Sequence, residues 1–312
     1  MSDNGKILVL GTNPAWQKRL TFRQLNLKQV NRAAAMEQFA SGKGINFCRA
    51  MKCFGVTELE LLHFLGGANG EKIRNYLSSE EIYHLAIPIS GETRCCITMK
   101  NSADGETTEI IEPSSQVSQL EYDSFLAAME QKIPQSAGCA VCGSPPDNKS
   151  EQLYFAAAAL TYRQRKIFFV DYYKNLDKIY AANPQTILKI NQIELAAATG
   201  ERDIISALRI LSEKFGAILS IITAGAEQIY LQDHEKIYRA TVPPVDPVIN
   251  PIGCGDTFGG VFLAQYLQSG DLLTAFRYGI AAGSANCLTP LCGDFRLSDL
   301  GQLLKNIKVE LL

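Results

Sequence analysis

The sequence of 312 residues has no long hydrophobic run. Near its start, the apolar stretch "ILVL" before Gly11 holds only four residues, which is too short for the core of a signal peptide. No other stretch approaches the ~20 apolar residues that a membrane-spanning helix requires. We therefore expect a cytoplasmic protein that has no membrane partner.

An excess of charge of one sign is also lacking. The chain has 30 Lys and Arg residues against 32 Asp and Glu residues, which gives a formal net charge of −2. Nucleic acids and acidic membrane surfaces attract proteins with a marked basic excess. We therefore expect no nucleic acid partner and predict a small, discrete ligand.

Histidine is scarce, and its three copies, His63, His84 and His234, are scattered along the chain. Cys139 and Cys142 have C-x-x-C spacing, but a zinc site would need a second pair of ligands. Most of the nine cysteines lie in apolar runs, where reduced thiols pack as small hydrophobic side chains. We expect Cys139 and Cys142 to be buried strand cysteines rather than a metal or redox site.

What the sequence does contain is an alternation of short apolar runs with longer helical patterns. The predicted strands are "KILVLG", "LELLHFLGG", "CCITMK", "AGCAVCGS", "KIFFVDY", "TILKIN" and "AILSIITAG". The predicted helices span 45–54, 70–79, 119–132, 149–164, 192–199, 203–215, 257–268 and 271–287. This alternation is typical of an α/β protein with a mostly parallel central sheet.

Two segments, 13–38 and 90–112, read as strands and turns without intervening helices. Within the second, "SADGE" predicts a hairpin tip. No long linker or repeat interrupts the chain, so we expect one domain, 1–312, with a small β lid drawn from these two segments. Parallel sheets bind ligands beyond the carboxyl ends of their strands, and the glycine-rich loops should mark that place.

The first glycine-rich loop lies in "ASGKGINFCRAMKCFG", residues 40–55, and opens a predicted helix. Gly42 and Gly44 permit close approach of a ligand to the backbone, and Lys43 adds a positive charge, which suits an anionic or hydroxyl-rich ligand. The spacing matches neither a Walker P-loop nor a dinucleotide-binding fingerprint. The alternative is a tight strand-to-helix turn without a ligand.

The second loop, "INPIGCGDTFGG", is more informative. The backbone N–H groups of Gly253, Cys254 and Gly255 should form an anion hole at the start of the predicted helix. A carboxylate would repel that anion, so Asp256 is better explained as a base that removes a proton beside a transferring phosphoryl group. The alternative is that Asp256 only caps the helix.

These two motifs, in this order, resemble those of the ribokinase-like (PfkB) carbohydrate kinase family, whose signatures are a G-G-K-G-x-N-type loop and G-A-G-D. Further stretches are similar to its hexose-phosphate branch: "LGTNPAWQK", "VNRAAAMEQFASGKGIN", "FLGGANGEKI", "GETRCCITM", "TEIIEP", "LKINQIEL" and "ITAGAEQIYL". The resemblance covers almost the whole chain. It implies a three-layer α/β sandwich with a β lid, and ATP and Mg²⁺ as cofactors.

The resemblance also implies roles for individual residues. Asp256 would be the catalytic base, with the amides of Gly253, Cys254 and Gly255 as the anion hole. Asn191 and Glu194 of "NQIE" would order Mg²⁺ near the phosphates, although N-x-x-E is also a common capping pair. The residues implied in nucleotide binding are Lys189, Thr223, Gly225 and Asn286.

For the acceptor, the resemblance implies a sugar phosphate held by a cationic group of residues. The candidates are Arg32, Lys43 and Arg94 for the phosphate and Gly42, Asn46, Ser144 and Gln17 for the sugar. Arginine on a lid strand can bind phosphate through two parallel hydrogen bonds, which lysine cannot do. Without the resemblance, Arg94 would be interpreted as a charged side chain in contact with solvent.

The sequence departs from the family pattern at three places. Cys254 replaces the alanine of G-A-G-D, and Gln17 replaces the aspartate of N-P-A-x-D-K. The family's G-S-L-P-P-G is shortened to "GSPPDN" around Ser144. Gln17 still donates and accepts hydrogen bonds but cannot make a charge-assisted one, which leaves the identity of the sugar open.

The function implied is ATP-dependent phosphorylation of a ketohexose phosphate, foremost fructose 1-phosphate to fructose 1,6-bisphosphate. Tagatose 6-phosphate is the alternative acceptor, and a non-catalytic sugar-phosphate sensor is the alternative from a different class. Such a sensor would need neither Asp256 nor the anion hole. The family resemblance also implies a homodimer formed through the lid, because unpaired strand edges are usually covered.

Overall fold

The computed structural model describes residues 5–312. The strands are β1 (Ile7–Leu10), β2 (Ala15–Phe22), β3 (Ala35–Ser41), β4 (Leu59–Leu65), β5 (His84–Pro88), β6 (Cys95–Asn101), β7 (Thr107–Ile111), β8 (Gly138–Cys142), β9 (Ile167–Asp171), β10 (Ile187–Asn191), β11 (Leu219–Ala224), β12 (Gln228–Asp233), β13 (Lys236–Thr241) and β14 (Val309–Leu311).

The helices are α1 (Lys43–Cys53), α2 (Gly67–Ser79), α3 (Gln119–Lys132), α4 (Gln152–Arg163), α5 (Leu176–Ala182), α6 (Gln192–Thr199), α7 (Ile204–Phe215), α8 (Cys254–Ser269), α9 (Leu272–Asn286) and α10 (Leu297–Leu304). Across residues 5–312, no helix is both long and apolar enough to span a bilayer. All eight predicted helices are present, whereas α5 and α10 were not predicted.

A ten-stranded sheet forms the centre of the protein, in the order β14-β13-β12-β11-β10-β9-β8-β1-β4-β5. The strands from β11 to β5 in this order are all parallel, and β12, β13 and β14 extend one edge in antiparallel fashion. The prediction of a mostly parallel central sheet is therefore confirmed. The carboxyl ends of its parallel strands, including β9 and β10, all lie at the same end of the sheet.

Helices cover both faces of this sheet, because successive side chains of a strand point to opposite sides. Val9 packs in one core with Phe47 of α1 and Phe258 of α8. Leu8 and Leu10 pack in the other core with residues of α3 and α4. The result is a three-layer α/β sandwich, as predicted.

The C-x-x-C pair lies within the central sheet. Cys139 and Cys142 are buried in β8, and both are free thiols. Among residues 5–312, no group of three or more His, Cys, Asp and Glu side chains is arranged to hold a metal ion. The expectation of buried strand cysteines is confirmed.

A second, four-stranded sheet has the order β3-β2-β6-β7. The strands β6 and β7 form the expected hairpin, with Gly105 of "SADGE" in its turn at φ 78°. One face of the sheet packs on α2, where the Trp16 and Tyr76 rings lie 6.0 Å apart. The strand β3 runs to Ser41, three residues beyond the predicted segment, and leads through Gly42 directly into α1.

Candidate active site

The start of α8 carries the second glycine loop. Gly253 lies at φ 85°, a left-handed conformation that favours glycine, and the helix begins at the next residue. This is three residues earlier than predicted, so Asp256 lies within the first turn. No side chain caps the helix, and the first amides of an α-helix have no intrahelical partner. These N–H groups are therefore available to an anion.

Gly255 leaves room for the close approach of a lysine. A β-carbon at this position would lie 2.8 Å from Nζ of Lys189. Likewise, a β-carbon on Gly253 would lie 2.7 Å from Cβ of Cys292. The glycines thus allow a positive charge and the loop around Cys292 to pack directly against the anion hole.

Asp256 is buried, with 8% of its surface exposed. Its Oδ2 accepts a hydrogen bond of 2.8 Å from Nδ2 of Asn46, so the side chain is directed away from a capping position. Burial raises the pKa of Asp256 to about 6, the charge of Asp171 adds to this increase, and Lys43, Lys189 and the Asn46 hydrogen bond oppose it. A carboxylate with such a pKa is suited to accept a proton near neutral pH.

Asp171, at the end of β9, joins two lysines. Its Oδ1 lies 2.7 Å from Nζ of Lys43, and its Oδ2 lies 2.8 Å from Nζ of Lys189. Burial alone would raise the pKa of Asp171, but the charges and hydrogen bonds of Lys189 and Lys43 hold it below its ordinary value. Burial opposes the charged form of Lys43, yet its pKa is raised by Asp171, Asp256 and Glu194. Asp171 therefore fixes both lysine side chains in place.

Asp171 is not among the site residues predicted from the sequence. An acidic residue directly after the buried run "IFFV" was the available signal, because it lies at the carboxyl end of a parallel strand.

The pair Asn191 and Glu194 forms a capping box at the start of α6. Oδ1 of Asn191 accepts from the amides of Ile193 and Glu194, and Glu194 Oε2 accepts from the Asn191 amide at 2.9 Å. The other carboxylate oxygen of Glu194 lies 3.5 Å from Nζ of Lys43. Asn191 and Glu194 therefore cap α6, as the alternative interpretation expects. Glu194 also faces Lys43.

A cavity of about 240 Å³ brings together four of the predicted acceptor-binding residues, Gly42, Lys43, Arg94 and Ser144. Nη2 of Arg94 donates to the carbonyl of Asn13 at 3.0 Å, while its Nε is buried without a hydrogen-bond partner in residues 5–312. An unpaired guanidinium N–H is costly to bury. Arg94 and Lys43 both line this cavity with cationic side chains.

Gln17 lines a separate cavity of about 440 Å³, between the four-stranded sheet and residues 248–252. Its Nε2 donates to Oγ1 of Thr98 at 2.8 Å, and Thr98 in turn donates to Glu109 at 3.4 Å. Arg19 on the same strand donates to the carbonyl of Pro290 at 2.5 Å. The four-stranded sheet is therefore bonded to a loop beside the start of α8.

Two other predicted acceptor-binding residues lie elsewhere. Asn46 lines neither cavity, since its side chain bonds Asp256 and accepts from Arg49 at 3.4 Å. Arg32 is exposed in the connection between β2 and β3, outside both cavities. Within this chain, the structure does not bring Arg32 to the other predicted residues.

The predicted nucleotide-binding residues divide into two groups. Thr223 and Gly225 lie at the end of β11, next to β10, which carries Lys189. Asn286 is fully buried and bonds within the protein, accepting from Thr257 Oγ1 at 3.0 Å and from the Gly293 amide at 2.8 Å. Its Nδ2 donates to the carbonyl of Ile252 at 3.0 Å. Asn286 thus holds the glycine loop to α8 and α9.

Known proteins of similar sequence are kinases. The chain is 26% identical over 311 residues to tagatose-6-phosphate kinase of Staphylococcus epidermidis, covering 97% of this chain and 99% of that protein. It is 29% identical over 310 residues to 1-phosphofructokinase of Borreliella burgdorferi, covering 97% and 98% of the two chains.

Solved structures share the fold. Phosphofructokinase-2 from Escherichia coli in complex with fructose-6-phosphate superposes with a TM-score of 0.83 at 24% identity, over 97% of this chain and 99% of that one. Ribokinase of Arabidopsis thaliana complexed with ribose and ATP gives a TM-score of 0.77 at 16% identity, over 97% and 99%. The ribokinase-like fold is confirmed.

The model of the pfkB family carbohydrate kinases matches residues 15–298, nearly the whole chain. This match and the kinase relatives confirm the resemblance seen in the sequence motifs. The chain belongs to the pfkB family of carbohydrate kinases and is an ATP-dependent sugar kinase.

Proposed function

We propose that this protein transfers the γ-phosphoryl group of ATP to a hydroxyl group of a ketohexose phosphate, with fructose 1-phosphate as the preferred acceptor. The observation that carries the proposal is the position of Asp256, buried in the first turn of α8 between the open helix amides and the two lysines paired with Asp171. A phosphoryl-transfer site needs a proton acceptor and concentrated positive charge, and both are present.

In the proposed reaction, Asp256 accepts the proton of the acceptor hydroxyl. That oxygen forms a bond to the γ-phosphorus as the bond from phosphorus to the ADP oxygen breaks. The amides of Gly253, Cys254 and Gly255 face the negative charge on the moving group. Lys43 and Lys189 add positive charge, with Lys189 placed directly against Gly255. Lys189, Thr223 and Gly225 are proposed to border the nucleotide. The side chain of Asn286 shapes the loop at the start of α8 by its hydrogen bonds to the backbone of Ile252 and Gly293.

Mg²⁺ fits the oxygen donors beside Lys43. In kinases this ion keeps several waters and takes one or two carboxylates together with substrate phosphates, rather than an all-protein cage. Glu194 offers a partly exposed carboxylate, and Asn191 fixes the orientation of Glu194 through the capping box. When bound, Mg²⁺ would neutralise phosphate charge. Glu194 would hold it through water, and Asn191 would support Glu194.

The existing phosphate of the acceptor is proposed to enter the cavity of Arg94, Lys43 and Ser144, because two cationic side chains line it. Two relatives carry names for different acceptors, a tagatose-6-phosphate kinase and a 1-phosphofructokinase. We favour fructose 1-phosphate because of the 1-phosphofructokinase-like sequence stretches. Tagatose 6-phosphate is the second candidate, favoured by the 26% identity to a tagatose-6-phosphate kinase.

We also propose that residues 1–312 form one cytoplasmic domain whose four-stranded sheet is a lid and pairs with a second copy. Apolar side chains are exposed on this sheet, with Met36 at 55%, Ile110 at 49% and Ile111 at 59%. Light scattering of the wild-type protein and of a Met36→Lys, Ile110→Lys variant tests this. We expect the wild type to have twice the mass of the variant, and equal masses would contradict the lid dimer.

The test of the function is ADP release measured with fructose 1-phosphate, tagatose 6-phosphate, fructose 6-phosphate and unphosphorylated fructose, each with and without Mg²⁺. We expect the largest kcat/KM with fructose 1-phosphate and no turnover after chelation of Mg²⁺. Preference for tagatose 6-phosphate would select the second candidate. Preference for unphosphorylated fructose would contradict the acceptor assigned to the Arg94 cavity.

A further inference from the structure

Two cysteine thiols meet at the start of α8. Cys254 is the first residue of this helix, and Cys287 directly follows α9. Their Sγ atoms lie 3.2 Å apart, although the two residues are 33 positions apart in the sequence. Both are free thiols. This contact joins the anion hole to the neighbouring helix through two side chains that can react with each other.

The two thiols differ from the buried core cysteines in their access to solvent. Cys254 and Cys287 are both partly exposed, whereas Cys48, Cys139 and Cys142 are buried. A small oxidant therefore reaches the pair more readily than the core thiols. Reactive cysteines require access of this kind.

The two thiols share one hydrogen bond, in which either sulfur can be the donor. The thiolate is the nucleophile in reactions of cysteine. Once one sulfur of the pair has been oxidised to a sulfenic acid, the other lies close enough to resolve it to a disulfide.

We propose that Cys254 and Cys287 form a reversible disulfide, with hydrogen peroxide as the oxidant, and that this bond lowers phosphoryl transfer. The thiolate of one cysteine attacks one peroxide oxygen, the O–O bond breaks, and the released hydroxide takes a proton to become water. The resulting sulfenic acid is attacked by the sulfur of the other cysteine, which loses its proton as a second water leaves. Two thiols are oxidised and one peroxide is reduced. A dithiol reverses the reaction by thiol–disulfide exchange.

The expected inhibition follows from the geometry of the anion hole. An S–S bond is about 2.05 Å long, so the two sulfur atoms must approach by roughly 1 Å. Cys254 supplies one of the proposed anion-hole amides, and its Sγ also contacts Nδ2 of Asn286 at 3.4 Å. Asp256 lies two residues further along the same helix turn. A displacement of ~1 Å in a catalytic site lowers the rate by up to about 100-fold.

The inhibitory part of this inference rests on the proposed function, whereas disulfide formation does not. The experiment therefore measures both. Three proteins are treated with hydrogen peroxide: wild type, Cys287→Ser and, as a control at a partly exposed thiol outside the pair, Cys53→Ser. Each is digested without reduction and examined by mass spectrometry for the peptide linking Cys254 to Cys287. ADP release is measured before treatment, after treatment and after addition of dithiothreitol.

We expect the linked peptide in wild type and Cys53→Ser, with a fall in kcat of about 10- to 100-fold that dithiothreitol restores. Cys287→Ser should form no linked peptide, and its kcat after treatment should equal its kcat before treatment.

Absence of the linked peptide in wild type overturns the proposal, whether or not any sugar phosphate is a substrate. A linked peptide with unchanged kcat overturns the inhibition, and equal inactivation of Cys287→Ser assigns the loss to another residue. If no sugar phosphate is turned over before treatment, the proposed function is wrong. The presence or absence of the linked peptide then still tests whether Cys254 and Cys287 form a disulfide.

Discussion

Nδ2 of Asn46 donates a hydrogen bond of 2.8 Å to Oδ2 of Asp256, across 210 residues of sequence. Asn46 lies in the first turns of α1, just after the first glycine loop, and Asp256 lies in the first turn of α8, just after the second. The bond therefore connects the two motifs. It also opposes the effect of burial on the pKa of Asp256, because it stabilises the carboxylate.

Asn46→Ala should move the acid limb of the pH profile of kcat/KM to higher pH. A carboxylate base works only when deprotonated, so wild-type activity should fall as the pH drops through about 6, the pKa of Asp256. Loss of the Asn46 hydrogen bond raises that pKa further. The profile is measured from pH 5 to 9, together with the melting temperature, and an acid limb that stays in place would remove Asn46 from this positioning role.

Asp171→Asn should move the acid limb of the pH profile of kcat/KM to lower pH. The charge of Asp171 raises the pKa of Asp256, and its removal also leaves Lys43 and Lys189 free to stabilise the Asp256 carboxylate. We expect the acid limb at lower pH and a reduced kcat, since the lysines lose the carboxylate that fixes them. Shifts of the same sign in Asn46→Ala and Asp171→Asn would contradict this electrostatic account.

Arg94→Lys should raise the KM for the acceptor by roughly tenfold or more, because hydrogen bonds to a charged group are worth about 1.5–3 kcal/mol. The KM for ATP should stay near its wild-type value, since Arg94 lines the cavity assigned to the acceptor phosphate. Arg23→Lys is the matched control, because Arg23 is exposed and lines neither cavity near the site. An equal rise for both substrates would separate Arg94 from the acceptor.

Gln17→Asp should change the relative kcat/KM values for fructose 1-phosphate and tagatose 6-phosphate. The new carboxylate would accept charge-assisted hydrogen bonds from sugar hydroxyls that the amide cannot match. Gln24→Asp, at an exposed position, controls for the added negative charge. The ratio for each variant is compared with that of wild type, and identical ratios would place Gln17 outside the sugar pocket.

Local patterns in the sequence predicted most of the fold. Helices α3 and α6 have the predicted bounds, because each has clear capping residues, Ser118 with Glu121 and Asn191 with Glu194. By contrast, α8 begins at Cys254 rather than 257, since Gly253 adopts a left-handed conformation that only the folded chain determines. The short helix α5 was not predicted because its seven residues give too little periodic pattern.

The candidate site was predictable where a local motif or the family resemblance supplies its residues. The glycine loops and Asp256 follow from local motifs, whereas the resemblance brings Arg94 and Ser144 together with Gly42 and Lys43. Asp171 does not, because the order of the sheet brings it to Lys43 across 128 residues. The contact of Cys254 with Cys287 likewise depends on how α8 and α9 pack. Long-range packing sets such contacts, and a single sequence does not encode them as a pattern.

Asp256→Asn is the most direct test of the proposed mechanism. The variant keeps the shape of the side chain but cannot accept the proton, so kcat should fall ~10²–10⁴-fold. Burial disfavours the Asp256 carboxylate, so above pH 6 the neutral amide should leave the melting temperature unchanged or higher. The measurement is kcat at saturating ATP and acceptor, with thermal unfolding at pH 8 on the same sample. A collapse of kcat with an intact melting temperature is the predicted result, and near-wild-type kcat would contradict the assignment of Asp256 as the base.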